Sequence, residues 1–242
     1  KSQVYDKWLA GDKTIDIVQF ASTSNPAFPQ EEYDRIVATL PAWKVAMFYK
    51  GEFDIPEGLI YGPFDSVRHT CEPFEVPAEW PRYAGLDFGG VHTAATLWAE
   101  RPADKHLFCT REYLHGERTT RQHSVELMGW SARRWFGGAG SEDQWRLEFG
   151  AVGMPVLKPL TSDVEVGIDT VYSQVVTDGI TIFRSCTHLL DEFGSYSRAL
   201  GKDGQPTDKI ADKERYHLLD SVRYVLGSIR KSAGKAKVVK LD

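Results

Sequence analysis

No stretch of this chain is apolar for long enough to span a membrane, and no basic-then-apolar leader opens it. No GxxxxGK[ST] phosphate loop occurs, so a nucleotide site of that class is excluded from these residues. Cysteines number only three, Cys71, Cys109 and Cys186, with no CxxC pair and none of the seven histidines at finger-like spacing. That pattern disfavours structural zinc and predicts three reduced thiols in an intracellular protein. There are no internal repeats and no low-complexity tracts. The opening, KSQVYDKWLAG, has no Met, which suggests a fragment or a processed product. The net charge of −5 argues against binding nucleic acid by bulk charge but leaves room for a local basic surface over an acidic site.

What is present is ordinary for a globular chain: 242 residues, 42% hydrophobic and 26% charged, enough for one large domain or a domain with an appendage. Residues 1–70 read differently from the rest. Within Asn25–Leu40, Pro29 followed by Glu31 and Glu32 marks a helix start, with Ile36, Val37 and Leu40 on an apolar side. Two glycine-bounded apolar pieces follow between Met47 and Tyr61. Residues 71–82, CEPFEVPAEWPR, carry three prolines and suit an extended linker. From 83 to 232 the pattern predicts a mixed α/β sheet flanked by helices, beginning with strands at 83–88, 93–100 and 106–114. A helix over 119–136 with Val125, Met128 and Ala132 on one face, a short helix over 142–149 and a strand near 155–157 come next. Ser162 and Asp163 cap a helix through Val176, and Gly179 separates it from a strand at 180–183. Helices over 187–199 and 212–230 close the domain, and 233–242 reads as a mobile basic tail.

Chemistry concentrates in the carboxylates. In YAGLDFGG, Asp87 falls within an apolar strand just before Gly89 and Gly90, which predicts an open hairpin turn. An acid inside such a strand costs several kcal/mol unless compensated, by hydrogen bonds or by a cation. In the last helix Asp220 borders the stripe of Leu218, Leu219, Val222, Val225 and Leu226, one turn from His217. Asp212 lies earlier, near that helix start. Glu142 or Asp143, in the glycine loop FGGAGSED, is a third candidate, and Asp191 and Glu192 in HLLDEF are further ones. Two carboxylates about 4 Å apart repel by roughly 4 kcal/mol at an effective dielectric near 20. Convergence of three such acids therefore points to Mg²⁺ or Mn²⁺, which take oxygen ligands. A pair of these ions serves phosphodiester hydrolysis.

Several segments together carry a resemblance: GLDFGG at 85–90, GGAGSEDQW at 137–145, KPLTSDVEVGI at 158–168 and KIADKERYHLLDSVRYVL at 209–226. They resemble the ribonuclease H-like nuclease domain of the large terminase subunit of tailed bacteriophages and prophages. Residues 20–64 resemble the stretch joining that family's motor ATPase to its nuclease. The resemblance implies a Mg²⁺- or Mn²⁺-dependent endonuclease that cuts concatemeric DNA during genome packaging in the host cytoplasm. It implies double-stranded DNA, a terminase small subunit, a portal and an ATPase motor as partners, and no membrane. Carried over by position, Asp87 and Asp220 match the outer catalytic and metal-binding acids, and His217 a frequent neighbour of the last. Many relatives place the middle acid at the end of the fourth strand, where this chain has Gly137 and Gly138. Glu142 stands in for it, with Asp143 and Asp212 as alternates. Without a phosphate loop, the chain is not the whole packaging motor.

Other readings stay open. DFGGVHT is similar to the first phosphate loop of actin-like and sugar-kinase ATPases, but the later Asp-Gly loops, Asp178-Gly179 and Asp203-Gly204, sit badly for that. A lone DFG without an HRD loop does not make a protein kinase. A non-catalytic binding or assembly module, or a transposase or resolvase, shares the expected fold. For DNA contact the candidates are Arg121, Arg133 and Arg134, with Arg111, Arg118 and the Lys231–Lys240 tail, acting mainly on phosphate.

Overall fold

The structure, a computed structural model, describes residues 13–14, 20–39, 49–50, 58–89, 92–201 and 205–229. The expected basic tail, the apolar piece at 51–57, Gly90 and the Asp203-Gly204 pair lie outside them. The chain divides into two units, 1–58 and 59–242. In the first, helix α1 (Gln30–Thr39) follows Pro29 and carries Glu31 and Glu32 in its first turn. Negative charge there suits the positive end of the helix dipole, as the sequence led one to expect, and the Glu32 carboxylate pairs with Arg35 at 2.6 Å. The side chains of Ile36, Val37 and Leu40 are outside the description.

The second unit is built on a seven-stranded mixed sheet. Its strands are β1 (Thr70–Cys71), β2 (Arg82–Asp87), β3 (His92–Glu100), β4 (Leu107–Gly116), β5 (Arg134–Gly137), β6 (Val156–Leu157) and β7 (Ile180–Phe183). They lie in the order β1-β7-β4-β3-β2-β5-β6. The meander β2–β3–β4 is antiparallel, and every other pairing is parallel. Five helices accompany it: α2 (Thr120–Met128), α3 (Asp143–Ala151), α4 (Val164–Val176), α5 (Thr187–Phe193) and α6 (His217–Ile229). A small antiparallel hairpin, β8 (Arg198–Leu200) with β9 (Pro206–Ile210), stands apart from the sheet.

The sheet buries both faces, and period-two alternation decides which residue goes where. Ala94 and Trp98 of β3 join a core with the apolar sides of α4, α5 and α6. Ala95 and Leu97, with Ala84 and Leu86 of β2, join a second core with Leu127, Phe149 and Met154 from the side of α2 and α3. Helix α6 is central: Leu218, Leu219, Val222, Val225 and Leu226 are all fully buried. So are most of its other positions, which is the mark of a helix enclosed on all sides rather than lying on a surface. Its approach to the sheet is close. A Cβ on Gly85 would stand 1.9 Å from the Ser221 carbonyl oxygen, so only glycine at that position lets β2 and α6 meet.

Several expected boundaries change. The helix expected over 119–136 ends at Met128, and residues 134–137 are instead the strand β5. Helix α2 buries His123, Ser124 and Leu127, while Val125 and Met128, the expected core face, are exposed. A Thr119–Gln122 capping box starts the helix and Gly129 stops it. Pairing with β2 then claims Trp135 and Phe136 for the sheet. The helix expected over 187–199 stops at Phe193 before Gly194, and Arg198 enters the hairpin. The last helix begins at His217, not at 212. Residues 213–215 form a separate 3₁₀ turn that Asp212 enters with φ 45°. The helices capped at Asp163 and begun at Asp143, and the strand at 180–183, are as expected.

Candidate active site

Asp87 is the last residue of β2 rather than an interior one. It faces α6, on the same side of the strand as Gly85. Its carboxyl is buried and is pushed up to about 6, first by that burial, then by the charges of Asp220 and Glu142; the hydrogen bond from His217 acts in the opposite sense. That bond is the compensation the strand acid required: His217 Nδ1 lies 2.9 Å from Asp87 Oδ2. The same bond holds the imidazole above its ordinary pKa. A side chain 130 positions along the chain is thus delivered to the first strand by the opening residue of α6.

The rotation of α6 about its axis is set by a buried polar chain. Trp98 Nε1 donates to Thr96 Oγ1 at 3.0 Å, Thr96 and Ser221 hydroxyls meet at 2.9 Å, and Ser221 Oγ donates to the Leu218 carbonyl at 2.8 Å. Unpaired, each of these groups would cost about 1–3 kcal/mol, so the chain favours one register of helix on sheet. Asp220, next to Ser221, is paired with the guanidinium of the buried Arg223. Tyr224 completes the neighbourhood. Burial raises its hydroxyl pKa, and the charges of Asp87, Asp220 and Glu142 raise it further.

The middle acid differs in kind from the outer two. Glu142 is half-buried and its carboxylate accepts the Ala139 N–H. Asp143 is exposed and paired with Arg146 at 2.6 Å. Arg146, itself buried, also donates to the Gly137 and Ala139 carbonyls at 2.8 and 3.0 Å. Gly138 has φ 78°, and a Cβ there would stand 2.5 Å from Phe88 and 2.6 Å from Arg146. Phe88 and Arg146 thus fill the space a longer residue would need at the end of β5. Asp212 is exposed, with Arg215 at 3.7 Å, ahead of the 3₁₀ turn. Arg133 and Arg134 are exposed at the start of β5, the opposite end of the β2–β5 pair from Asp87. Arg121 is exposed on the first turn of α2. A cavity of about 330 Å³ opens beside Gly89 and Thr93, walled by Arg118, Thr119, His123, Trp145 and Phe149.

Among the described residues no three His, Cys, Asp or Glu side chains stand close enough to hold one metal ion. The donor chemistry nonetheless suits a hard divalent cation. Mg²⁺ takes one or two carboxylates with water in its remaining positions, and Asp87 and Asp220 are two such groups with mutually adverse charge.

Arg223 is the partner that a structurally held Asp220 would take from its own helix, and of the candidate pair Asp191 and Glu192 it is Glu192 that turns inward. Glu192 is buried, and its carboxylate accepts the N–H groups of Leu218 and Leu219 at 3.2 and 2.8 Å. Its neighbour Asp191 is exposed. The apolar residues on either side of the pair, HLL and F, were the available signal that one of the two acids points inward.

The five strands β4-β3-β2-β5-β6, with an acid ending the central one and the last helix packed across it, define a ribonuclease H-like fold. Solved structures that the chain resembles include phage large terminases and their nuclease domains. That of phage P22 matches with TM-score 0.56 at 21% identity, over 68% of this chain and 89% of that one. The large terminase of the thermophilic phage D6E matches with TM-score 0.61 at 20% identity over 93% of this chain, which spans 58% of that protein. The nuclease of thermophilic phage G20c, solved with bound cobalt, matches with TM-score 0.54 at 12% identity, over 71% and 97%. No protein-family model and no curated protein sequence matches the chain. Among the described residues no helix is long and apolar enough to cross a membrane.

Proposed function

We propose that this chain is a divalent-metal-dependent DNA endonuclease of the terminase type, cutting concatemeric DNA during genome packaging. The observation that carries the reading is the juxtaposition of Asp87 and His217, with Asp220 one turn further along the same helix. The shared fold with terminase nuclease domains, one of them solved with cobalt, supports it.

In this reading Asp87 and Asp220 supply the metal's carboxylate ligands, and Glu142 approaches from the start of α3. A divalent ion, or a pair, would lower the pKa of a bound water and polarise the phosphodiester. His217, held by Asp87 through Nδ1, keeps a second ring nitrogen that could orient water or a phosphate oxygen. Double-stranded DNA is the substrate. The small subunit, portal and motor ATPase are the expected partners, and the host cytoplasm the place of action. The test is supercoiled plasmid with Mg²⁺ or Mn²⁺: the parent nicks or cuts it, while Asp87→Ala and Asp220→Ala remain folded and inactive. Intact plasmid with the parent chain would sink the nuclease reading.

A second reading, a DNA-binding module without catalysis, is favoured by one observation. The end of β5, where the family resemblance leads one to expect an acid, is Gly137 against the Leu86 backbone, followed by Gly138 enclosed by Phe88 and Arg146. DNA retention without cleavage at any metal concentration would decide for it.

A further inference from the structure

Two carboxylates outside the proposed catalytic set share an arrangement that joins the sheet to the catalytic helix. Glu112 of β4 accepts the N–H of His188 at 3.1 Å and that of Leu189 at 2.8 Å, in the first turn of α5. Glu192 of α5 accepts the N–H of Leu218 at 3.2 Å and that of Leu219 at 2.8 Å, in the first turn of α6. Neither is a local cap: the donors are 76 and 77 residues from Glu112, and 26 and 27 from Glu192. Cys186, the residue in the cap position of α5, makes no side-chain cap bond. Each helix therefore begins on a carboxylate supplied by the element before it in the series β4, α5, α6.

The end of that series is the site. Leu218 and Leu219 lie between His217 and Asp220, so Glu192 fixes the two peptide groups that connect the Asp87 partner to the second acid. Both N–H groups are among those a helix start leaves without an intrahelical acceptor. With both oxygens of one buried carboxylate engaged, the first turn of α6 is held in direction as well as in depth. The Ser221–Thr96 bond holds the following turn against β3. Geometry of this kind bears on rate, because a displacement of about 1 Å at reacting groups costs on the order of 100-fold.

We propose that Glu192 is a positioning residue for His217 and Asp220, and that Glu112 sets Glu192 in turn by fixing α5. The proposal rests on the nuclease reading for its kinetic consequence, but not for its structural one. Gln at 192 retains one acceptor oxygen and presents an amide N–H to the other peptide, so it breaks half of the contact while conserving shape.

The experiment compares the full chain with Glu192→Gln, Glu192→Ala and Glu112→Gln. Three quantities are read: plasmid cleavage rate, DNA affinity, and the imidazole nitrogen resonances of His217, assigned with a His217→Gln control. The expected result for Glu192→Gln is a folded protein that cuts about tenfold more slowly, with DNA affinity within twofold and a shifted His217 resonance. Glu112→Gln should move both readouts in the same direction by less. Glu192→Ala should cut about 100-fold more slowly; if it does not fold, Glu192→Gln carries the test. A cleavage rate within twofold of the parent overturns the proposal even if the melting temperature falls, since Glu192 is then a helix cap alone. A slowed rate with an unmoved His217 resonance overturns it too, because the effect does not pass through the site. Should the parent chain leave DNA intact, the nuclease reading fails and the resonance decides by itself: unmoved in Glu192→Gln, it removes the positioning role.

Discussion

Asp220 rests on the guanidinium of Arg223, and of the two side chains Arg223 is the more deeply buried, 3% exposed against 20%. Among the described residues Arg223 Nε has no hydrogen-bond partner, nor do the hydroxyls of Tyr61 and Tyr196, whose stacked rings lie 5.5 Å apart beside it. Gly167 of α4 faces the stem of Arg223, where an added Cβ would stand 3.1 Å from it. The packing thus makes room for a buried cation whose closest counter-charge is a proposed catalytic acid. Asp87 differs, since its partner is an imidazole and its neighbouring charges repel it.

This difference predicts opposite effects on stability from two substitutions that both abolish activity. Asp220→Asn leaves Arg223 buried without its counter-charge and should lower stability by about 3 kcal/mol, the lower end for breaking a buried ion pair because Asp220 is partly exposed. Asp87→Asn keeps an acceptor for His217 and removes a buried charge, so stability should hold or rise by up to about 1 kcal/mol. Urea unfolding of both variants in a chelator measures the contrast. A larger loss for Asp87→Asn than for Asp220→Asn would contradict the assignment.

Glu142 and Asp143 can be separated by activity. Asp143 is exposed and bound to Arg146, so Asp143→Ala should change the cleavage rate by less than about threefold. Glu142 contributes to the charge around Asp87 and Tyr224, and Glu142→Ala should slow cleavage by about 100-fold, the range for loss of one preorganised group. Side-by-side plasmid assays decide, and a reversed order would make Asp143 the middle acid.

The meander and most helix starts were legible because local chemistry specifies them. Asp163 caps α4, Pro29 and the paired glutamates start α1, and β2 and β3 carry their own apolar residues. Strand β5 was not legible. Its four residues, RWFG, follow a helix closely and gain their identity only from pairing with β2. The exposed Val125 and Met128 misled for a related reason, since α2 buries His123 against the Tyr113 hydroxyl and turns the Ser124 hydroxyl back onto the Thr120 carbonyl, polar contacts that an apolar pattern does not reveal. At the site, Asp87 and Asp220 could be named from their apolar settings. Glu192 could be named as a further acid, but neither its burial nor that of Arg223 was legible, because a charged residue on a helix is solvated unless its distant neighbours enclose it.

The contact between β2 and α6 gives a third prediction. Gly85→Ala places a methyl group 1.9 Å from the Ser221 carbonyl, and backbone on both sides leaves no flexible atom to move. The helix must shift away, so stability should fall by about 3 kcal/mol, the upper range for overpacking. Cleavage should fall by more than the unfolded fraction explains, because His217 and Asp220 move with the helix. Thermal melts and cleavage rates on the same sample test this; a stable variant with the parent rate would show that α6 does not need that approach.

Glu192 gives a prediction in pH. Burial pushes its carboxyl up to about 8, against the two N–H bonds that favour the charged form. In the unfolded chain a glutamate releases its proton near 4.3. The folded state therefore binds this proton more tightly than the unfolded one between those values. A group raised in this way contributes stability that is complete below the unfolded pKa and is lost as pH rises through the folded one. The slope between them approaches about 1.4 kcal/mol per pH unit for one proton. Melting temperatures of the parent in a chelator should fall from pH 5 to pH 8, and Glu192→Gln, which has no proton to release, should show a flatter profile. Equal slopes would mean that Glu192 is ionised throughout that range and holds α6 as a carboxylate, the N–H bonds outweighing burial.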